Sequence, residues 1–254
     1  MRAFCRAVGE KTCGCRYARP VVERLRAQFS DRRIAVVASL AGLSLFMLAM
    51  LGVRMLYTRT GVHGSLVWDL FLAWVPFVLA LVVYARVRAG GGLQSVLPLA
   101  CLWLAFFPNA PYLLTELRHV SRGGRLPALY DIVLLGSAGW TGLLLGLLSL
   151  FLIHAVARRF VGSLYAWPVV LALLVASSFG IYLGRVLRWN SWDLVAHPQW
   201  LGSLLGEIAL DPLGHPRPLA LLVLLTTFLF GSYLVLYSFA RLTPEWEALE
   251  QPRR

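Results

Sequence analysis

The sequence has few charged residues for its length. Only 14% of its 254 residues are charged, whereas about a quarter are charged in a typical soluble domain. In contrast, 59% are hydrophobic and the mean hydropathy is +0.70. The shortage of charge excludes an ordinary soluble globule, and the apolar content excludes an intrinsically disordered chain. The chain is therefore predicted to be a polytopic membrane protein.

No cysteine lies in the loops that connect the long apolar runs. Cys5, Cys13 and Cys15 precede the first long apolar run, and Cys101 lies inside the third. No disulfide is therefore expected to brace the outer loops. A structural zinc site normally uses four ligands, which the N-terminal tail does not supply. We predict neither a metal nor a cofactor.

Long apolar runs define the membrane-spanning segments. A helix that rises about 1.5 Å per residue needs about 20 residues to cross a hydrocarbon core of about 30 Å. The runs are continuous in Leu, Val and Ala, whereas the strands of a membrane barrel would alternate apolar and polar residues. We predict an all-α bundle of about six spanning helices, with short interfacial helices in the outer loops. The predicted spans are 34–53, 66–84, 93–107, 132–153, 164–183 and 219–239.

Basic residues are unevenly distributed between the two sides of the membrane. Sixteen of the 24 Lys and Arg residues fall on the side that holds both termini, and eight fall on the other. Because loops rich in Lys and Arg stay in the cytoplasm, both termini are predicted to be cytoplasmic. The domains are then a basic tail (1–33), a transmembrane domain (34–240) and a C-terminal tail (241–254). The net charge of +12 is explained by anionic lipid headgroups and requires no nucleic acid.

The polar residues of the membrane domain gather on the side opposite to the termini. All six acidic residues outside the tails, and four of the five histidines, lie there or at a helix end that faces it. We therefore expect any binding or reactive site to be extracytoplasmic. No residue is assigned a catalytic role. The candidate binding residues are Asp69, Asn109, Glu116, Asp131, Arg185, Arg188, Asn190 and Asp193.

Two prolines interrupt the third span. Pro108 and Pro111 each lack an amide donor and disfavour helical geometry at the residue before them. Phe107 and Ala110 are therefore predicted to leave the helix. Interrupted membrane helices often frame binding sites, which draws attention to Asn109. The alternative is a helix that ends at the headgroup boundary and is followed by an interfacial turn.

Most of the charged residues near the span ends have two interpretations. Glu116 and His119 share a helical face, a spacing used in metal-binding helices, but a surface Glu paired with an arginine is the favoured interpretation. Asp131 begins the fourth helix, where the helix dipole stabilises a carboxylate. Asp69 lies about one turn inside the second span, as part of a site or of an ion pair that fixes helix register. Arg185 and Arg188 could hold a phosphate or carboxylate, or pair with Asp193 and lipid phosphates.

Two further features of the sequence predict how helices pack and where a surface helix lies. Gly142 and Gly146 form a Gly-x-x-x-Gly step, which predicts close helix packing in the fourth span. Residues 200–210 place apolar side chains on one helical face and are predicted to lie on the outer surface.

Three uncommon tracts occur in order along the chain. They are FFPNAPY at 106–112, the Tyr130–Asp131 entry into the fourth helix, and SFGIYLGR at 178–185 followed by RWNSWD at 188–193. Over about residues 40–240 the chain resembles the DUF1361 family of bacterial membrane proteins. The resemblance implies a bacterial cytoplasmic membrane protein and supplies no activity, cofactor or catalytic residue.

Three functions remain open. The preferred one is a polar site on the extracytoplasmic face that binds or processes a lipid-linked or envelope anion. A small-solute or ion transporter is less favoured, because transporters carry polar groups at mid-membrane and internal repeats, and neither is evident here. The third is a structural or assembly subunit. The expected partners are the lipid bilayer and an anionic lipid or envelope substrate. The sequence does not identify partner proteins.

Overall fold

Every regular element in the described part of the chain is a helix. The computed structural model describes residues 15–61, 63–120, 127–187 and 216–250. Their elements, in chain order, are α1 (Cys15–Thr58), α2 (Ser65–Arg88), α3 (Leu93–Phe106), α4 (Asn109–Tyr112), a 3-10 helix (Leu113–His119), α5 (Ala128–Tyr182), a π-helical segment (Leu183–Leu187) and α6 (Pro216–Glu250).

Five helical stretches in the described residues are long and apolar enough to cross a membrane. They are Ile34–Thr58, Ser65–Arg88, Leu93–Arg118, Ala128–Arg185 and Pro218–Leu242. The fourth stretch contains 58 residues and would be about 87 Å long if it were straight. Because that length is almost three times the thickness of a hydrocarbon core, this stretch must cross the membrane twice.

The chain turns back within α5 at Gly162. This residue has φ 85° and ψ 168°, a backbone conformation that glycine adopts without a steric penalty. The rings of His154 and Trp167, which flank the turn, have centroids only 4.9 Å apart, whereas a straight helix would separate them by about 20 Å. α5 is thus two spanning arms, residues 128–161 and 163–182. The prediction of about six spanning helices is confirmed.

The chain divides into two compact units, residues 1–46 and 47–254. The described part of the first unit is the N-terminal portion of α1, in which the Ser44 hydroxyl donates to the Leu40 carbonyl at 2.9 Å. The second unit holds the hydrophobic core, which is formed by α2, α3, α5 and α6. Trp103 is buried there and its indole Nε1 donates to Ser149 Oγ at 3.3 Å.

The chain keeps helical geometry through the proline segment. Phe107 has φ −55° and ψ −40°, its amide donates to the Trp103 carbonyl at 2.8 Å, and Ala110 lies within α4. The prediction that Phe107 and Ala110 leave the helix is therefore wrong. Proline only disfavours the α region at the preceding residue. Burial of the Phe107 ring and its stacking on Trp103, with centroids 4.5 Å apart, favour the helical conformation.

The prolines change the hydrogen bonds of this segment. The Ala110 amide donates to the Phe107 carbonyl at 3.2 Å, in the 3-10 pattern. The Phe106 carbonyl accepts a hydrogen bond from Asn109 Nδ2 at 3.0 Å. The side chain of Asn109 therefore satisfies a carbonyl that an uninterrupted helix would pair with a backbone amide.

Glycines from both arms of α5 face the proline segment. A Cβ built on Gly146 would lie 3.3 Å from Ala110 Cβ, and one built on Gly180 would lie 2.7 Å from Pro108 Cγ. One built on Gly142 would overlap the Ala110 carbonyl oxygen and lie 2.8 Å from Leu113 Cβ. The predicted close packing at Gly142 and Gly146 is thus confirmed, and the packed partner is the segment 108–114.

A buried ion pair joins α1 to α5. Arg54 Nε donates to Asp131 Oδ1 at 2.8 Å and Arg54 Nη2 donates to Oδ2 at 3.2 Å. The two side chains are only 6% and 3% exposed. One residue before Asp131, the Tyr130 hydroxyl donates to the Met50 carbonyl at 2.6 Å. This two-pronged geometry fixes the end of α1 against the beginning of α5.

Replacement of Gly142 is expected to destabilise the fold. In Gly142→Ala the new Cβ meets a backbone carbonyl that no rotamer change can move, so we expect a loss of about 1–3 kcal/mol in the free energy of unfolding. Gly136 lies on the same arm and a Cβ there meets nothing within 4 Å. Gly136→Ala is therefore the matched control and should not destabilise. SDS-induced unfolding of the purified protein, followed by tryptophan fluorescence, measures both; equal stabilities would contradict the packing.

Removal of one member of the Arg54–Asp131 pair is expected to cost more than removal of both. Arg54→Met leaves a buried carboxylate without its partner and should cost about 3–5 kcal/mol. The double variant Arg54→Met with Asp131→Leu should recover most of that loss, because apolar residues can replace a buried pair at little cost. The same unfolding assay on both variants and on Asp131→Leu alone completes the cycle. Additive losses would show that the two side chains do not interact.

Candidate functional site

Three of the predicted site residues come together at one end of the bundle. Glu116 and Arg185 form an ion pair, and Asp69 lies close enough to interact electrostatically with both. They belong to the 3-10 helix, the π-helical segment and α2, respectively. We call this group, with Tyr112 and Thr115, the Arg185 cluster.

The π-helical segment Leu183–Leu187 places Arg185 in the cluster. Such turns widen a helix locally and are frequent at functional sites. Arg185 Nε donates to Thr115 Oγ1 at 2.7 Å, and Nη2 donates to the same oxygen and to Glu116 Oε1, the latter at 2.6 Å. The side chains of Arg185 and Glu116 are 10% and 8% exposed. The pair is therefore largely withdrawn from water, where charge-assisted hydrogen bonds are strong.

Two further contacts hold the guanidinium in place. Its central carbon lies 4.0 Å from the centroid of the Tyr112 ring, within the range of a cation–π interaction. The Thr115 hydroxyl donates to the Tyr112 carbonyl at 2.6 Å, which leaves the oxygen lone pairs to accept from Arg185. Tyr112, Thr115 and Glu116, which lie within five residues of one another in the sequence, therefore all contact one side chain.

Part of the Arg185 guanidinium is not used by the described residues. A guanidinium has five N–H donors, and Thr115 and Glu116 take those of Nε and Nη2. The structure gives Nη1 no hydrogen bond to any residue that it describes. These two donors are the feature of the cluster that best suits an incoming anion.

Asp69 adds a second carboxylate to the cluster. It is half-buried on α2 and forms no ion pair within 4.0 Å among the described residues. Both predicted interpretations of Asp69 remain predictions. Its proximity to Glu116 and Arg185 gives the described part of the cluster two acids and one base.

Glu116 differs from its favoured sequence interpretation in one respect. Pairing with an arginine is confirmed, but Glu116 is buried and not on the surface. Arg185 reaches it from the π-helical segment. The metal alternative stays a prediction, because it requires Glu116 and His119 together. The side chain of His119 lies outside the described residues.

The remaining candidates lie elsewhere or outside the described residues. Asp131 is buried in the pair with Arg54, so its interpretation as a helix-dipole residue alone was incomplete. Asn109 bonds to the Phe106 carbonyl. Arg188, Asn190 and Asp193, and the predicted amphipathic helix at 200–210, lie outside the described residues.

Sequence reasoning missed Arg54, Thr115 and Tyr112 as partners. Arg54 carried a usable signal, because it is a charged residue directly after the apolar run of the first span and therefore needs a partner. Thr115 and Tyr112 carried none. Their roles depend on how the 3-10 helix meets a π-helical segment 70 residues later in the chain.

Comparison with known proteins gives one match. The model of a family described as "Protein of unknown function (DUF1361)" matches residues 68–233. The searches of curated proteins and of solved structures each found no match. The matched range includes Asp69, Glu116, Asp131 and Arg185, whereas Arg54 precedes it. The resemblance seen in the sequence tracts is confirmed, and the chain belongs to the DUF1361 family of proteins of unknown function.

Proposed function

We propose that this protein is a multi-pass protein of the bacterial cytoplasmic membrane whose extracytoplasmic end binds or processes an anionic group of a lipid-linked or envelope substrate. The Arg185 cluster is the site. The observation that carries the proposal is the arrangement of Arg185 itself: three residues hold one side of its guanidinium, and the Nη1 donors are left for a ligand.

The chemistry of a fixed guanidinium favours a phosphate or carboxylate as the ligand. Guanidinium groups match the spacing of oxygen atoms in both anions. Because Glu116, Thr115 and Tyr112 already hold Arg185, little side-chain entropy remains to be lost when the anion binds. The low exposure of the group strengthens the interaction further. Arg188, three residues later in the sequence, would add a second positive charge.

The two buried arginines differ in the kind of partner that takes their Nε and Nη2 donors. Arg54 meets Asp131 with Nε and Nη2 in a two-pronged pair that joins two helices. Arg185 divides the same donors between a hydroxyl and one carboxylate oxygen. The Arg54 pair therefore serves the fold in this proposal, and the Arg185 cluster serves the ligand.

Asp69 would supply the polar contact next to the anion. A half-buried carboxylate beside a bound phosphate is suited to accept a hydrogen bond from a sugar or glycerol hydroxyl of the same molecule. The same position favours the alternative of a cation or proton transporter, because acidic residues inside membrane spans often lie on ion pathways. Uptake by proteoliposomes that depends on Asp69 would support this alternative.

Replacement of Arg185 by lysine, which keeps the positive charge beside Glu116, is expected to abolish function while the fold remains. Arg185→Lys keeps the charge but loses the fork of donors, so a strain that lacks the gene should regain less than about a tenth of its wild-type envelope phenotype with this variant. Arg118 lies in the 3-10 helix and is exposed. Arg118→Lys is the matched control and should complement fully. The lipid and envelope-polymer inventory of the deletion strain identifies the phenotype to be scored.

The outcomes of that experiment separate the proposal from its alternatives. Full rescue by Arg185→Lys and Arg185→Gln, with normal protein levels, would overturn the ligand site and favour a structural or assembly subunit. Loss of rescue together with loss of protein from the membrane would assign Arg185 to folding. Failure of both Arg185→Lys and Arg118→Lys would show a general need for arginine at this end.

The orientation of the bundle is tested by reporter fusions. With cytoplasmic termini, alkaline phosphatase fused after Arg254 should be inactive, and the same enzyme fused after Thr60 should be active, because it folds only outside the cytoplasm. A fluorescent protein should give the opposite result at the two positions. Activity of phosphatase at Arg254 would place the Arg185 cluster on the cytoplasmic side.

A further inference from the structure

A second group of polar residues lies at the opposite end of the bundle. Arg185 follows the second arm of α5, whereas Arg158 lies near the end of the first arm, four residues before the turn at Gly162. An arm of 20 residues is about 30 Å long. Arg158 and Arg185 are therefore separated by about the thickness of a hydrocarbon core.

Two arginines from different helices converge on one tyrosine hydroxyl at this end. Arg241 Nη2 on α6 donates to Tyr237 Oη at 2.7 Å, and Arg158 Nη1 on α5 approaches the same oxygen at 3.5 Å. The Arg241 guanidinium also lies 4.8 Å from the centroid of the Tyr237 ring. Both arginines are exposed and Tyr237 is half-buried. Their donors therefore face an accessible surface.

An aromatic cluster holds Tyr237 in position. Its ring stacks on His154 at 5.4 Å and meets Trp167 edge-on at 4.9 Å. His154 is itself buried, with 1% of its surface exposed, and its Nδ1 lies 2.6 Å from the Tyr233 hydroxyl. The Tyr237 phenol, which both arginines approach, is thus held in place by a packed aromatic cluster.

The two exposed arginines at this end have no acidic partner among the described side chains, which favours binding of an anion. Two guanidiniums that share one neutral oxygen repel each other, and neither forms an ion pair with a described side chain. The connecting segment 154–163 contains no acidic residue. A phosphate between Arg158 and Arg241 would replace repulsion with two charge-assisted contacts.

We propose that Arg158, Tyr237 and Arg241 form a binding site for the phosphate of an anionic lipid headgroup, distinct from the Arg185 cluster. The arginines supply paired donors and the Tyr237 hydroxyl supplies a third. Trp167 and Tyr237 are aromatic side chains of the kind that lie at headgroup level. A free phosphate ion has the same chemistry, and the test separates the two sources.

The experiment measures binding of lipid and of phosphate to the full-length protein in detergent. Native mass spectrometry with dioleoylphosphatidylglycerol should give a dissociation constant that rises at least about tenfold in Arg158→Gln with Arg241→Gln. Tyr237→Phe keeps the ring and should raise it by a smaller factor. Arg159 is exposed and adjacent to Arg158, so Arg159→Gln, which removes one positive charge beside the site, is the control and should leave binding unchanged. A parallel titration uses inorganic phosphate.

Each result decides between the sources or against the site. Arginine-dependent binding of phosphatidylglycerol, with inorganic phosphate unable to compete, establishes a lipid site. Equal arginine dependence for inorganic phosphate, without retention of lipid, keeps the site and overturns the lipid as its ligand. A similar loss in Arg159→Gln, or no loss in the double variant, overturns the site. Circular dichroism of the exposed-residue variants verifies that they are folded.

Discussion

The hydrocarbon core of a bilayer offers no water to a charged group, so each buried charge in this protein must be met by the protein itself. Two ion pairs show how the chain meets this requirement: Arg54 with Asp131, and Arg185 with Glu116. Each pair joins segments that are distant in the sequence. Once paired, these side chains restrict how the helices can slide or rotate, because any shift leaves a charge without its partner.

Close backbone packing makes the second pair possible. The glycines of α5 allow the proline segment to approach to contact distance, and this segment leads directly into the 3-10 helix that carries Thr115 and Glu116. A bulkier residue at Gly142 would move the beginning of that helix away from α5. The geometry of the Arg185 cluster therefore depends on residues with no polar atoms in their side chains, and the cluster and the packing must be understood together.

Sequence reasoning predicted the fold more completely than the site, for a physical reason. Span number follows from apolar length, which is local information, so even the turn at Gly162 was anticipated as a loop between two spans. The conformation of the proline segment was harder to predict. Proline only disfavours helical geometry at the residue before it, and burial of Phe107 favours the helical conformation that is observed. Which charged residues pair with each other depends on segments that are distant in the sequence. Glu116 was expected to meet an arginine, but nothing in its neighbourhood could identify Arg185.

The two polar ends differ in the kind of charge balance they show, and this difference bears on function. Around Arg185 the described acids outnumber the base, and the guanidinium is enclosed. Around Tyr237 two exposed arginines stand without a described acid. An enclosed, pre-paired guanidinium selects a ligand by shape and hydrogen bonding, whereas an open cationic pair retains any phosphate that the membrane surface supplies in abundance. The two proposed sites, a selective one at one end and a lipid site at the other, would suit a protein that is anchored to one leaflet while it binds a ligand beside the other.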